Sequence, residues 1–347
     1  MTRVALLWTL LALVAAGSRA EVVADLHSAT VPVGNQSSQA LATAAREALA
    51  DVLVKVSGSR DLLQNPVITA ALAEARDHVQ QYAYIRAQPP AAALSVTFEF
   101  DGAFITELVR RAGAPLWTAN RPLVLAWVVV EDAQGRHFVN WDGAREEAQL
   151  LENEFSRRGV PVQIPVFDLA DTAVSPEDVW RLDQAVIQTA SARYQSRDIV
   201  VGRLGSVNDG KALGDWSYFH QDDRIDRSVT VPDLQSFLRD GVNVVAGALA
   251  ARYAVAPTAG DQVGVRVSVT GVTDYADYAA IIRWLEGLEL VKYANLEQVQ
   301  GDRIELRLQA QADASQLAAI IELNDRLLPL PVSEPGTSAQ LNYQWRK

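Results

Sequence analysis

The chain has 347 residues, 49% of them hydrophobic and 21% charged, with 42 Asp and Glu against 31 Lys and Arg and a formal net charge of −11. This is the composition of a globular protein long enough for two or three cores. The acid excess excludes nucleic-acid binding through backbone phosphates, which needs clustered Lys and Arg. Cysteine is absent, which excludes a disulfide framework and a lipid-attachment thiol.

Residues 1–20 read as an export signal. Arg3 supplies a positive start, residues 4–14 are an apolar run too short to span a bilayer, and Ser18-Arg19-Ala20 places small residues at −3 and −1. Cleavage is expected between Ala20 and Glu21. It takes away Arg3 and Arg19 and moves the net charge from −11 to −13. No later stretch reaches the length of a membrane span, so no stable insertion is expected after processing. Export without disulfides fits a bacterial periplasm.

The fold class expected is mixed α/β and α+β, in three small modules whose mixed or antiparallel sheets are covered by helices. Residues 21–118 form the first. A short strand is predicted at 22–26. Leu41, Ala45, Ala48, Leu49, Val52 and Val56 then mark one stripe of a helix from about 37 to 56, stopped by Gly58. A second helix follows Pro66. Strands at 79–87 and 94–100 pair across Gln88-Pro89-Pro90, and a helix begins near Phe104 and ends near Gly113.

Residues 119–256 form the second module. Residues 123–130 are a buried strand, followed by a helix at 144–158, a strand at 161–166 and a helix through Val179, Leu182, Val186 and Ala190. A strand at 199–204 has 213–220 as its hairpin partner, and a helix over 231–253 closes the unit. Residues 257–261 read as a linker. Beyond it, residues 262–330 form a β-α-β-β-α unit: Val263, Val265, Val267 and Val269 alternate, Gly301-Asp302 turns a hairpin, and Asp313 caps the last helix. The tail, 331–347, is predicted to add an edge strand.

Few constellations carry chemistry. Gly205 to Ala212 is one residue short of a phosphate loop, because Ala212 stands where the motif needs a hydroxyl for magnesium. A hairpin turn at Asn208-Asp209-Gly210 explains it. Asp222, Asp223 and Asp226 lack the glycine and distal Glu of a calcium loop, and Arg224 and Arg227 sit among them, so they read as a solvated loop. His27, His78, His137 and His220 have no metal spacing. Ser57 precedes a glycine cap, and acids such as Glu146-Glu147 or Asp171 and Asp178 are too common to single out a catalytic pair. No cofactor or metal is implied. In the strand at 213–220, Trp216, Tyr218 and His220 share one face while Phe219 lies on the other. Core on both sides is the simpler reading. The functional alternative is an aromatic strip for a partner or a glycan.

Residues 48–58, the Arg121-Pro122-Leu123 start of an apolar strand and Asp198-Ile199-Val200-Val201-Gly202-Arg203, together with the exported start, resemble an envelope family of proteobacteria called domain of unknown function 2066. The resemblance covers most of the mature chain and implies an exported envelope protein with no assigned catalytic residues. The middle module is also similar to small α/β domains of periplasmic accessory proteins, an analogy of fold alone. The function expected is a non-enzymatic scaffold that binds another envelope protein. The alternatives are an envelope hydrolase using dispersed carboxylates and a small-ligand or glycan binding module.

Overall fold

The structure, a computed structural model, describes residues 21–86, 94–169, 171, 174–207, 210–256, 263–324, 326–331 and 340–346. Residues 1–20, read as an export signal, the Gln88-Pro89-Pro90 connection, Asn208-Asp209 and residues 257–261, read as a linker, lie outside the described residues. The architecture is mixed α/β: three sheets, antiparallel or mixed, each covered by helices, plus a two-stranded ribbon.

The first unit starts with β1 (Glu21–Val22) and β2 (Ser28–Val33), two short strands where the sequence predicts one. Then comes α1 (Ser38–Ser57). Ser37 caps it by accepting from the Ala40 N–H at 3.2 Å, and Gly58 ends it at φ 78°, a left-handed cap. It is followed by α2 (Pro66–Ala73), β3 (Val79–Arg86), β4 (Leu94–Phe100) and α3 (Gly102–Arg111). The sheet order is β2-β4-β3, and α1 lies on the face that holds Val31, Val96 and Phe98. Beyond α3, β5 (Asn120–Arg121) pairs back onto β1.

The middle sheet is built on β6 (Val124–Asp132). Its first seven residues are all buried, because both faces are covered. Val124, Ala126 and Val128 face α4 (Arg145–Arg157) and α7 (Leu234–Tyr253), whereas Leu125, Trp127 and Val129 face α5 (Pro176–Trp180) and α6 (Gln184–Ser191). The sequence predicts one helix where α5 and α6 stand. Leu182, at φ 54°, breaks it. The remaining strands are β7 (Gly135–Phe138), β8 (Val162–Gln163), β9 (Asp198–Val207), β10 (Lys211–His220) and β11 (Asp223–Val231). The order is β11-β10-β9-β6-β7, with β6 parallel to β9 and to β8 and the other pairs antiparallel. Of the acids read as a solvated loop, Asp222 is in a turn while Asp223 and Asp226 lie on a strand. Residues 223–228 of this edge strand are exposed on both faces, and only Val229 and Val231 reach the core, so apolar alternation is weak where the acids lie.

The last unit contains β12 (Val263–Thr270), α8 (Tyr275–Glu286), β13 (Val291–Gln300), β14 (Arg303–Ala310), α9 (Ala314–Ile321), β15 (Leu327–Pro329) and β16 (Gln340–Trp345). The tail strand is not at the edge, contrary to the sequence prediction. The order is β13-β14-β12-β16-β15, so β16 lies inside the sheet, parallel to β12, and three-residue β15 takes the edge. Tyr343 on β16 is 1% exposed and completes the core with Leu285, Leu317 and Ile321.

Candidate functional site

The candidate strip of Trp216, Tyr218 and His220 does share one face of β10, but that face is covered. The three residues are 1%, 3% and 4% exposed, which removes them as a partner or glycan surface. The physical reason is α7. Trp216 stacks on Phe237 of that helix at 4.4 Å between ring centroids, and its Nε1 donates to the Phe237 carbonyl at 3.2 Å. The helix comes this close because Gly241 has no side chain. A Cβ there would stand 2.1 Å from the Trp216 ring. A glycine inside a helical apolar pattern was the one available sign of this contact.

Tyr218 and His220 converge on a buried carboxylate. Asp198 Oδ1 accepts from the Tyr218 hydroxyl at 2.5 Å and from His220 Nδ1 at 2.7 Å. As the carboxylate is an acceptor, the imidazole carries its proton on Nδ1. Burial, with Asp198 second, pushes the Tyr218 hydroxyl far above its ordinary value and Tyr253 up to about 12. An Asp–His pair orients the general base in acyl-transfer sites. Here the imidazole is closed off, and among the described residues no hydroxyl nucleophile hydrogen-bonds to it. The cluster joins the start of β9 to the end of β10.

A second buried polar group lies where the first and middle units meet. Arg121 is 0% exposed. Its Nε donates to Thr118 O, Nη1 to Arg158 O and Gly159 O, and Nη2 to Lys55 O and Trp117 O, at 2.7–3.0 Å. The guanidinium also lies 3.9 Å over the Trp117 ring. Arg158 donates to Gly58 O at 2.9 Å, and Lys55 Nζ donates to Asp25 O and Ser28 O at 3.2 and 2.8 Å. Arg121 and Arg158 collect carbonyls at the C-terminal ends of α1 and α4, where the helix dipole favours positive charge, while Lys55 ties the segment that leads into β2 to α1. Burial pulls Lys55 down to about 8, Arg121 to about 9 and Arg158 to about 10, so all three remain cationic at neutral pH. No sequence spacing announces this group, because its members come from three separate segments.

An open site lies along α6. A groove of about 600 Å³ is lined by Val174, Ala185, Val186 and Ala190, with Asp171 and Arg193 at one end. The polar end is held in place. Asp171 accepts from the Tyr194 hydroxyl at 2.5 Å and from the Phe167 N–H at 2.9 Å, and Arg193 bridges Asp168 and Asp171 at 2.5 and 3.2 Å. The same loop exposes Leu169 at 91% and Val166 at 61%, and Val186 on the helix is 37% exposed. A cleft of about 230 Å³ also lies between residues 118–120 and α8 and α9. There Glu289 accepts from the Ala119 N–H at 3.1 Å, and Asn324 donates to Asn120 at 3.2 Å.

The other singled-out residues are dispersed. Lys211 is exposed on strand β10, with Gly210 at φ 69° before it, where a phosphate loop needs a helix. Asp223 pairs with Arg252 at 2.9 Å and Asp226 with Arg224 at 2.8 Å. His78 stacks on Phe104, His137 lies 3.1 Å from Glu147, and His27 packs against Gly102. Ser57 bonds within its own cap to Ser59, and Asp178 closes a capping box with Ser175. Among the described residues, no three His, Asp or Glu side chains converge as a metal centre requires.

Residues 20–118 match the model of a family described as Domain of unknown function (DUF8605). This corrects the resemblance to domain of unknown function 2066, since the family that matches is a different one and covers the first unit alone. Of the segments behind that resemblance, residues 48–58 and 198–203 are largely buried helix and strand, and packing alone selects such patterns in many α/β proteins. No curated protein matches the chain. Among solved structures, a formyltetrahydrofolate deformylase from Pseudomonas putida KT2440 is similar at 14% identity, over 55% of this chain and 88% of that one, with a TM-score of 0.16. A superposition that poor carries no argument about fold or activity. Among the described residues no helix is long and apolar enough to cross a membrane.

Proposed function

We propose that the chain is a periplasmic accessory protein, exported through residues 1–20, that binds another protein of the cell envelope. The observation that supports this reading is the α6 groove. Its lining is mostly apolar, its polar end is already satisfied internally, Val186 within it is 37% exposed, and the chain segment that leads to Asp171 exposes Val166 and Leu169. Exposed apolar surface beside an apolar groove is characteristic of a protein-binding face. The occupant that fits is an apolar helix or loop of the partner, since the groove follows the axis of α6 and offers no unpaired charge at Arg193.

The test is site-specific photocrosslinking in cells. A photoreactive residue at Val186 and one at Leu169 should capture the same envelope protein, and the probe at exposed Lys211 should not. Leu169→Asp should abolish capture at Val186 while leaving thermal stability unchanged. Equal capture from all three positions would reject the groove. The mature chain should begin at Glu21 and be released by osmotic shock. Full-length chain in the membrane pellet would reject the location.

A further inference from the structure

Among the described residues, the sheet edges are guarded, with one exception. An open edge presents a row of backbone N–H and C=O groups that another strand can pair with, and proteins block this with charge, proline, bulges or short length. Strand β2 carries Pro32. Strand β11 carries Asp223, Arg224, Asp226 and Arg227. Strand β13 has two register shifts and the charges Lys292 and Glu297. Strand β7 is four residues long and contains Arg136, and β15 is three residues long and ends in Pro329.

Strand β3 has none of these along its middle. It is eight residues long, Val-Gln-Gln-Tyr-Ala-Tyr-Ile-Arg, with a register shift only at its start and one charge, Arg86, at its end. It lies at the edge of the β2-β4-β3 sheet, and the described residues pair it with β4 alone. Six of its eight residues are exposed, including Tyr82 at 49% and Ile85 at 50%.

The strand is also complementary to itself. In an antiparallel pairing centred on Ala83, Tyr82 of one copy opposes Tyr84 of the other, Gln81 opposes Ile85, and Arg86 opposes Gln80. The register pairs residues 80–86 without placing like charges opposite each other. It sets two aromatic cross-strand pairs on the α1 face, where Tyr82 already contacts Tyr84 and Phe98 at 6.0 and 6.1 Å between centroids. We infer that the chain forms a two-fold dimer in which β3 pairs with β3 of a second copy, joining two three-stranded sheets into one. The pairing is isologous, so it closes at two copies and leaves β2, with Pro32, as the new outer edge. It is independent of the α6 groove, which lies on another unit.

The chain has no cysteine, so a single introduced thiol reports on the axis. Directly opposed residues in an antiparallel pair have Cα atoms about 4.5–5.5 Å apart, within reach of a disulfide. The mature chain should sediment as a dimer at tens of micromolar, in keeping with a small interface of roughly micromolar affinity. Ala83→Lys, which sets two ammonium groups on the axis, should sediment as a monomer with an unchanged circular dichroism spectrum. Ala83→Cys should oxidise to a covalent dimer, whereas Thr30→Cys on β2 should not. A monomeric mature chain, a dimer that persists in Ala83→Lys, or equal crosslinking at Thr30 and Ala83 would each overturn the inference. A monomer whose Ala83→Lys variant loses an envelope partner would overturn it in favour of strand addition by a foreign segment.

Discussion

The Arg121 side chain closes the end of α1 from another unit: its Nη2 donates to the Lys55 carbonyl at 2.7 Å, across 66 positions of sequence. One guanidinium thereby satisfies carbonyls from α1, from the end of α4 and from its own turn. Arg121→Met should destabilise the protein by about 3–5 kcal/mol, because several buried carbonyls lose their donors together. Arg121→Lys should recover little of this, since an ammonium has three donors and no planar fork. Urea unfolding of the variants measures the loss. A cost near that of a surface substitution would show that the junction does not depend on this residue.

Lys55 makes stability depend on pH. Burial lowers its ammonium to about 8 against an ordinary 10.5, so the charged form is disfavoured in the folded state. Between these values the unfolded chain binds more protons, and stability rises with pH. Relative to Lys55→Met, the natural chain should gain about 2 kcal/mol between neutral pH and about pH 9.5. The comparison with the variant cancels the titration of the buried tyrosines, which act in the opposite direction at higher pH. Parallel pH profiles for the two proteins would contradict the assignment.

Trp216 and Gly241 should couple. Trp216→Ala empties the space between β10 and α7 and should cost about 3–5 kcal/mol. Gly241→Ala drives a methyl into the indole and should cost about 1–3 kcal/mol. In a Trp216→Phe background the second substitution should be milder, because the smaller ring leaves room. A double-mutant cycle by thermal unfolding reads this coupling directly. Additive costs would mean that the helix relaxes away from the strand.

The C-terminal unit should need its last strand. Truncation after residue 331 removes β16 from between β12 and β15, together with buried Tyr343 and the bond from Trp345 Nε1 to Asp277 at 3.2 Å. Amides of β12 that are protected from hydrogen exchange in the full chain should then exchange freely, with α7 and β6 still protected. Persistent protection of β12 would show that residues 262–330 suffice.

Much of this fold could be read from local pattern. The stripe from Leu41 to Val56 lies on α1, Ser37 and Gly58 bound it, and the apolar run at 123–130 is the doubly covered strand β6. These features follow from periodicity and capping, which act over a few residues. Where both faces of a segment are wet, as over residues 223–228 of β11, or where one residue breaks the backbone, as Leu182 does, the pattern fails because burial is not what selects those residues.

The candidate site was less legible. The shared face of Trp216, Tyr218 and His220 is a property of strand geometry, and alternation alone determines it. Whether that face meets water or a helix depends on α7, which begins fourteen residues beyond His220 and returns over the sheet. The same holds for Arg121, whose acceptors come from three segments, and for β16, whose alternation is equally compatible with an edge or an interior position. Sequence by itself determined the strands and helices with a strong apolar period or a cap, and which side chains share a face along them. Tertiary structure decided which faces are covered, which sheet edge stays open and which charges are buried, because each depends on contacts between segments that chain-local energetics do not bring together.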